Sequence, residues 1–264
     1  MSAGAHRMRD QKLNARAYLL PPLVIAAGVL LWAALCHFNV LQKEAFPTPL
    51  SVAHGFVEEA RKGHLVDNVV ASLYRVIAGF GLAVLIGLPL GLWLGLNGRA
   101  RLALLPLVNF FRSLSPIAWI PFAIVWFGIG DKPTIFLVFM ASIFPITLAT
   151  IAGVAGIPAV TFRVARDYGF EGIQLLTQVT LPAIAPQVIT AMRVTAGLAW
   201  VVVVAAEMIA GKEGLGFAIW DARNGLRPDL LVVNMVVIGI IGVLLDRLLM
   251  QLSRIPSVRW GYEQ

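Results

Sequence analysis

The amino-acid sequence predicts an all-α membrane protein with about six transmembrane helices and both termini in the cytoplasm. Apolar residues make up 59% of the 264 positions and charged residues 13%, against about 45–50% and about 25% in soluble domains. A soluble fold of this size would have too little polar surface, whereas a bundle of helices in lipid requires this composition. The apolar residues fall into long stretches, and the basic residues concentrate on one side of them, as on cytoplasmic loops.

Six stretches are long enough to span a membrane, because about 20 residues rising about 1.5 Å each cross a bilayer core. They cover residues 18–38, 69–96, 102–127, 133–155, 189–210 and 230–250. We accordingly divide the chain into a cytoplasmic N-terminal segment (1–17), a first helix with an outer amphipathic segment (18–68), a core domain (69–252) with a cytoplasmic loop (156–188), and a cytoplasmic tail (253–264).

The first stretch follows a basic segment, which is also the arrangement of a cleaved signal peptide. A small-x-small cleavage pattern is poor here, and Leu35 is too bulky for a lipoprotein-type site before Cys36. We therefore expect an uncleaved first helix. Cys36 is the single cysteine of the chain, which excludes a disulfide framework and a cysteine-built metal site.

The next segment, residues 46–67, does not span the membrane. It opens with Phe46-Pro47-Thr48-Pro49, which predicts an extended entry. Residues 51–61 then predict an amphipathic helix with Ser51 as its N-cap, lying at the outer face.

Small residues recur at every fourth position of the second stretch, which places them on one face of a helix and lets another helix approach closely. They are Gly79, Ala83, Gly87, Gly91 and Gly95. We interpret this stripe as a packing surface.

Prolines interrupt the third stretch at three positions and the fourth at Pro145. A proline removes a helical hydrogen bond, and a membrane tolerates this only where protein or a cavity satisfies the freed carbonyl group. The segment from Ser113 to Pro116 is therefore expected to face protein or a transport pathway rather than lipid.

The basic residues favour cytoplasmic termini. With the N-terminus inside, eleven Lys and Arg residues fall in inner segments and seven in outer segments. The three others lie within predicted helices: Arg75, Arg112 and Arg193. The net charge of +7 is better explained by this bias than by binding of nucleic acid.

Ionisable groups inside a membrane are costly and need a partner or a function. Arg75, about 9 Å into its helix, and Glu207, about 6 Å from the end of its own, have matching depths. Either they snorkel separately, or they form a structural ion pair, or they contact substrate. Arg112, near the middle of its helix, either provides a positive group for an anion pathway or satisfies freed carbonyl groups. Arg193 is expected to snorkel.

Enzyme motifs are missing from the sequence. It contains no G-x-x-x-x-G-K-[ST] phosphate-binding loop, no H-E-x-x-H and no G-x-S-x-G. We therefore expect no ATP hydrolysis and no bound cofactor in this chain. A membrane-embedded enzyme is disfavoured as well, because the sequence shows no constellation of catalytic residues. An ion-coupled secondary transporter would need carboxylates at mid-membrane, and Glu207 lies near an edge.

The inner loop contains the most informative motif. Arg163-Val164-Ala165 is followed by Gly169 and, after nine more residues, by Val179-Thr180-Leu181-Pro182. This resembles the conserved cytoplasmic loop of binding-protein-dependent ABC importer permeases, in which Glu-Ala-Ala, three residues, Gly, nine residues and Ile-x-Leu-Pro follow one another. Arg163-Val164-Ala165 departs from the Glu-Ala-Ala start.

The loop is expected to form two short helices. The first runs from about Val164 to Gly169, which tolerates a turn, and the second from Glu171 to Thr180, ending at Leu181-Pro182. Such a helix–turn–helix would dock in a groove of a soluble partner. The alternative is an ordinary amphipathic connector.

The resemblance to this family extends over residues 18–252. Within the family, the sequence is similar to the nitrate, sulfonate and taurine branch. The segments that carry it are 72–80, 118–121, 126–130, 197–200, 205–208, 214–216, 219–224 and 245–249.

The resemblance implies a type I ABC importer permease, a multi-pass protein of the bacterial inner membrane. Two permease subunits, expected to be two copies of this chain, would dock on two ATPase subunits that bind ATP and Mg²⁺. A periplasmic or lipid-anchored binding protein would deliver a small anion. Aliphatic sulfonates or taurine lead, with nitrate, bicarbonate or a small heterocycle as alternatives. Candidate residues of the substrate path are Arg112, Ser113, Ser115 and Trp119.

Overall fold

The computed structural model describes residues 2–38 and 46–252, and within them every regular element is helical. The predicted tail 253–264 lies outside the described residues. The helices in chain order are α1 (Ser2–His37), α2 (Pro49–Lys62), α3 (His64–Leu96), α4 (Gly98–Ser113), a 3₁₀ helix (Pro116–Trp119), α5 (Ile120–Phe127), α6 (Asp131–Ala155), α7 (Ala159–Asp167), α8 (Gly172–Gln174), a π-helical segment (Leu175–Thr180), α9 (Leu181–Ala210), α10 (Leu215–Asn224) and α11 (Pro228–Leu252).

Five helical runs are long and apolar enough to cross a membrane, and a bent pair provides a sixth span if its halves count together. The prediction of an all-helical membrane protein with about six spans is confirmed. The single runs are Leu20–His37, His64–Leu96, Asp131–Ala155, Gly172–Ala210 and Pro228–Gln251.

The third predicted span is broken, as its prolines indicated, whereas the break predicted at Pro145 in the fourth span is wrong, because α6 is continuous through that residue. The chain bends by 86° between α4 and the run Pro116–Phe127. Leu114 and Ser115 are extended at the bend, with ψ angles of 132° and 128°. The cause is Pro116, whose ring disfavours the helical conformation at the residue before it.

The chain divides into two compact units, and the larger contains residues 63–221 and the part of α11 from Asn234. Its centre is α6, which packs between α3 and α9. Of the 25 residues of α6, 13 are buried, which is why its sequence is apolar on all sides.

The small residues of α3 face α6, so their interpretation as a packing surface is confirmed. A Cβ atom on Gly91 would lie 2.5 Å from Thr150 Cβ, and one on Gly79 would lie 2.6 Å from the Ile135 carbonyl oxygen. The close approach also allows a bond between helices, because the Thr147 hydroxyl donates to the Gly87 carbonyl at 3.2 Å.

The smaller unit contains α1, α2 and residues 222–233. The amphipathic helix predicted here exists, but Thr48 rather than Ser51 is its N-cap: the Ser51 amide donates to Thr48 Oγ1 at 3.2 Å. The helix therefore begins at Pro49, a residue suited to a first helical turn. On α2, hydrogen bonds from Lys62 at 2.6 Å and Arg227 at 2.9 Å hold the pKa of Glu58 below its usual value.

The loop region differs from the two predicted short helices. The first, α7, begins at Ala159 rather than at Val164. The second does not end at Leu181-Pro182, because α8, the π-helical segment and α9 form one run of 39 residues. The wide π turn accommodates the missing amide of Pro182 within a continuous helix, and the Thr180 hydroxyl donates to the Leu175 carbonyl there.

Candidate functional site

The structure brings Arg75 of α3 and Glu207 of α9 together inside the larger unit. Arg75 Nη1 lies 2.7 Å from Glu207 Oε1, and the two side chains are 1% and 0% exposed. The direct contact agrees with the similar depths estimated for the two residues from the sequence. The two groups form a buried pair instead of snorkelling separately.

Two further acidic residues complete the surroundings of Arg75. Its Nε donates to Asp131 Oδ1 at 2.7 Å, and its Nη1 donates to the Glu213 carbonyl oxygen at 2.6 Å. The Glu213 carboxylate lies 3.7 Å from Nη2. Neither residue was predicted as a partner, because both lie outside the predicted spans, at the start of α6 and in the connection after α9.

Glu207 also caps the beginning of α10. Its Oε2 accepts hydrogen bonds from the Ser72 hydroxyl at 2.8 Å and from the Gly216 amide at 2.9 Å. The Leu215 amide donates in turn to Ser72 Oγ at 2.9 Å. A carboxylate at a helix N-terminus satisfies amides that lack a partner within the helix.

The connection before α10 fits tightly against this network. Gly214 has a φ of +109°, and a Cβ atom there would lie 2.5 Å from the Glu207 Cδ atom and 2.6 Å from Arg75 Nη1. Its amide donates to Asn68 Oδ1 at 2.8 Å. We call Arg75, Glu207 and the groups bonded to them the ion-pair network. Its hydrogen-bonding groups bind one another rather than pointing towards a ligand, so the network joins α3, α6, α9 and α10.

The four candidate residues of the substrate path lie at the bend between α4 and α5. Arg112 is in the last turn of α4, next to the proline-containing bend and about half-way along the bent pair of helices. Its side chain is exposed, and no bond joins it to a carboxylate or a backbone carbonyl within residues 2–38 and 46–252. The Ser113 hydroxyl donates to the Asn109 carbonyl at 2.9 Å, and Ser115 precedes the 3₁₀ helix.

Trp119 belongs to an aromatic cluster beside that bend. Its ring lies 6.2 Å from the ring of Phe111, 6.3 Å from Trp126 and 6.4 Å from Phe136. Phe111 stacks on Phe144 at 5.7 Å. The cluster packs α4 and α5 against α6 and holds the two sides of the bend in place.

The turn of the loop is a glycine-based helix end. The Gly169 amide donates to the Arg166 carbonyl at 2.9 Å and the Phe170 amide to the Ala165 carbonyl at 3.0 Å. These are the two bonds of a Schellman motif, and the φ of +82° at Gly169 suits its left-handed position. The left-handed backbone conformation at position 169 therefore explains why the motif has a glycine there.

Other residues of the loop motif have different surroundings. Ala165 is buried, Arg163 is exposed, and Val179, Leu181 and Pro182 are half-buried. Large apolar side chains project from the turn: Tyr168 is 80% exposed, and Ile173 is 73% exposed. Exposed apolar side chains around a rigid turn are typical of a contact surface.

Arg193 also differs from its prediction. It forms a bidentate pair with Asp246 of α11, with Nε–Oδ1 and Nη2–Oδ2 distances of 2.6 and 2.7 Å. Nearby, Trp200 Nε1 donates to the Ile238 carbonyl at 3.1 Å. These bonds fix α11 to α9. Within the described residues, no group of three His, Cys, Asp or Glu side chains is arranged to hold a metal.

Residues 87–255 match the family of binding-protein-dependent transport system inner membrane components. A putative ABC transporter permease of Methanocaldococcus jannaschii is 35% identical over 240 residues, 89% of this chain and 90% of that one. The taurine transport system permease TauC of Escherichia coli is 30% identical over 258 residues, 94% of both chains. The bicarbonate transport system permease CmpB of Synechococcus elongatus is 34% identical over 259 residues, 92% of this chain and 90% of the relative.

A solved structure supports the fold. A chain of a bacterial alginate ABC transporter, crystallised with an alginate-bound periplasmic protein, superposes with a TM-score of 0.60 at 16% identity, covering 96% of this chain and 98% of that one. Sequence and fold agree, and the predicted resemblance is confirmed: the chain belongs to the family of binding-protein-dependent transport system inner membrane components, the permeases of type I ABC importers.

Proposed function

We propose that this permease carries a small anion across the bacterial inner membrane, driven by a separate ATPase that docks on the loop from Arg163 to Pro182. The observation that carries the proposal is the turn at Gly169, which is closed by two backbone hydrogen bonds and presents exposed apolar side chains. A soluble groove that covered Tyr168 and Ile173 would remove their apolar surface from water, which favours association.

The chain itself would supply the path and the ATPase the energy. In the expected assembly, two copies of the chain bind two ATPase subunits, which hold ATP and Mg²⁺. A periplasmic or lipid-anchored binding protein presents substrate at the outer face. The path alternates between outward-open and inward-open states as the ATPases close. The loop is expected on the cytoplasmic side, together with both termini, because that side has more Arg and Lys.

Tyr168 offers the sharpest test of docking, because its exposure separates its role from folding. We expect Tyr168→Glu to reduce copurification of the ATPase and substrate-stimulated ATP hydrolysis at least tenfold, since a charge would be desolvated in the groove. Tyr168→Phe keeps the apolar ring and serves as the matched control. Full assembly and coupling in the Tyr168→Glu protein would refute docking at this loop.

The substrate class is supported by relatives and by one side chain. Two relatives are permeases of taurine and bicarbonate transport systems, and both compounds are small molecules with an acidic group. In this chain Arg112 places an exposed guanidinium at the bend beside Ser113 and Ser115. Sulfonate or taurine leads the proposal, and nitrate, bicarbonate or a small heterocycle are the alternatives.

The role of Arg112 can be separated from assembly. We expect Arg112→Gln to abolish uptake while ATPase copurification and basal ATP hydrolysis persist, because an exposed side chain is not needed for folding. Arg112→Lys keeps the charge and should retain part of the uptake. Unchanged uptake by Arg112→Gln would remove this residue from the anion path. The ligand of the binding protein encoded beside the permease would identify the anion.

A further inference from the structure

A second basic surface lies where α3 ends and α4 begins, near the start of the loop, because Leu92 of α3 belongs to the same apolar cluster as Ile157 and Leu176. There the two helices border an open groove of about 770 Å³. Its lining includes two arginines, Arg99 and Arg101, and three large apolar side chains, Trp93, Leu96 and Leu102. We call these five residues the α3–α4 patch.

The positive charge of the patch is not neutralised by the protein. Arg99 is exposed and Arg101 is half-buried. Across residues 2–38 and 46–252, neither guanidinium forms an ion pair with a carboxylate. Two guanidinium groups that line one groove repel each other and favour an anion between them. The planar guanidinium donates paired hydrogen bonds to phosphate oxygens, which makes phosphate a suitable partner.

The apolar part of the patch identifies what the anion is attached to. Leu102 is 80% exposed, and Trp93 and Leu96 are each about half exposed. A free phosphate ion would leave these side chains uncovered, whereas an acyl chain would cover them. Trp is also the residue that is enriched where the bilayer meets water. The combination fits an amphiphile with an anionic head and an apolar chain.

The position of the patch agrees with such a ligand. The helix α3 has 33 residues, and about 20 suffice to cross the hydrocarbon core. Trp93 and Leu96 belong to its last turn, so the patch lies at a membrane boundary. The excess of basic residues predicts that this boundary is the cytoplasmic one. Basic pockets beside transmembrane helices on this side bind anionic lipid headgroups.

We propose that the α3–α4 patch is a specific binding site for an anionic phospholipid. The headgroup phosphate is held by Arg99 and Arg101, and the acyl chain lies along Trp93, Leu96 and Leu102. The residues of the site are distinct from those of the loop and of the substrate path.

The test is native mass spectrometry of the full-length protein in detergent, titrated with phosphatidylglycerol or phosphatidylcholine. We expect tighter binding of phosphatidylglycerol. The double variant Arg99→Gln/Arg101→Gln should weaken it about thirtyfold, because each basic group near an anionic lipid contributes about fivefold. Arg61→Gln/Arg223→Gln removes the same charge from exposed positions elsewhere and should leave the affinity unchanged.

A second measurement covers the case in which the double variant folds poorly. Phosphatidylglycerol with brominated acyl chains quenches the fluorescence of a nearby tryptophan. The quenching due to Trp93 is the difference in quenching between the wild type and Trp93→Phe. We expect this difference to exceed the one measured with brominated phosphatidylcholine, and to fall as salt is added.

Two outcomes would overturn the proposal. One is equal affinity of the wild type and of the folded double variant for phosphatidylglycerol. The other is loss of ATPase copurification in the double variant with lipid binding intact, which would assign the patch to a protein contact.

Discussion

At the scale of single residues, the main feature is a buried arginine whose donors are satisfied from three directions. Removing a charge from water is costly, and only close partners compensate for it. Arg75 has Glu207, Asp131 and the Glu213 backbone as partners, all within 2.7 Å. Opposite charge and similar depth indicated the Glu207 pair from sequence. The other contacts could not be predicted, because they depend on how two connections fold over the helix ends.

The ion pair leads to a stability prediction. We expect Arg75→Ala and Glu207→Ala each to destabilise the detergent-solubilised protein by about 3–5 kcal/mol, because each leaves a buried charge without its partner. Thermal unfolding of the two variants and of the double variant gives the coupling free energy. A coupling near zero would mean that the two residues stabilise the fold independently.

The exchanged pair provides a control for this interpretation. In the protein with Arg75→Glu and Glu207→Arg together, the overall charge is kept. We nevertheless expect little recovery of stability, because an arginine at position 207 cannot accept the hydrogen bonds of Ser72 and of the Gly216 amide. Full recovery would show that charge alone, and not the cap of α10, is what position 207 provides.

At the scale of helices, the sequence predicted where the membrane-spanning helices lie better than it predicted which prolines would break them. The lengths of the apolar stretches located the spans, because a helix needs about 20 apolar residues to cross the bilayer core and stretches of that length rarely occur by chance. Prolines were harder to interpret. Pro116 produces a bend of 86°, whereas Pro182 lies inside an unbroken run that contains a π turn. The difference depends on what surrounds each freed carbonyl group, and the local sequence does not specify this.

The contact between α3 and α6 gives a prediction for one element against another. Gly91→Ala should lower the thermal stability markedly, because the new Cβ atom would lie 2.5 Å from Thr150 Cβ and 2.7 Å from the Thr147 carbonyl oxygen. Gly81→Ala is the matched control, since nothing lies within 4 Å of its Cβ position. It should be neutral or slightly stabilising, as alanine favours a helix. Equal effects of the two changes would contradict close packing along the stripe.

At the scale of the whole molecule, the distribution of basic residues predicts which face of the membrane each segment meets. The basic residues are unevenly divided, and a bundle with eleven of them on one side is expected to insert with that side in the cytoplasm. The bias of the basic residues indicates the orientation of the protein in the membrane, whereas the packing of the helices would be the same in either orientation.

Cysteine labelling tests the orientation directly, since the chain has one cysteine, Cys36, and it is buried. In a Cys36→Ser background, we expect a membrane-impermeant maleimide to label the Arg61→Cys variant in intact spheroplasts. The Arg163→Cys variant should react only in inverted vesicles. The reverse pattern would invert the assignment of inner and outer faces.

The continuous run from Gly172 to Ala210 has a mechanical consequence. Its 39 residues measure about 58 Å at 1.5 Å per residue, nearly twice the thickness of the hydrocarbon core. One end begins beside Ile173 at the loop, and the other carries Glu207 in the ion-pair network. A displacement of the loop at one end of this run would therefore reach the ion-pair network at the other end through one helical element, in which the regular α-helix is interrupted by the π turn at 175–180 and by Pro186.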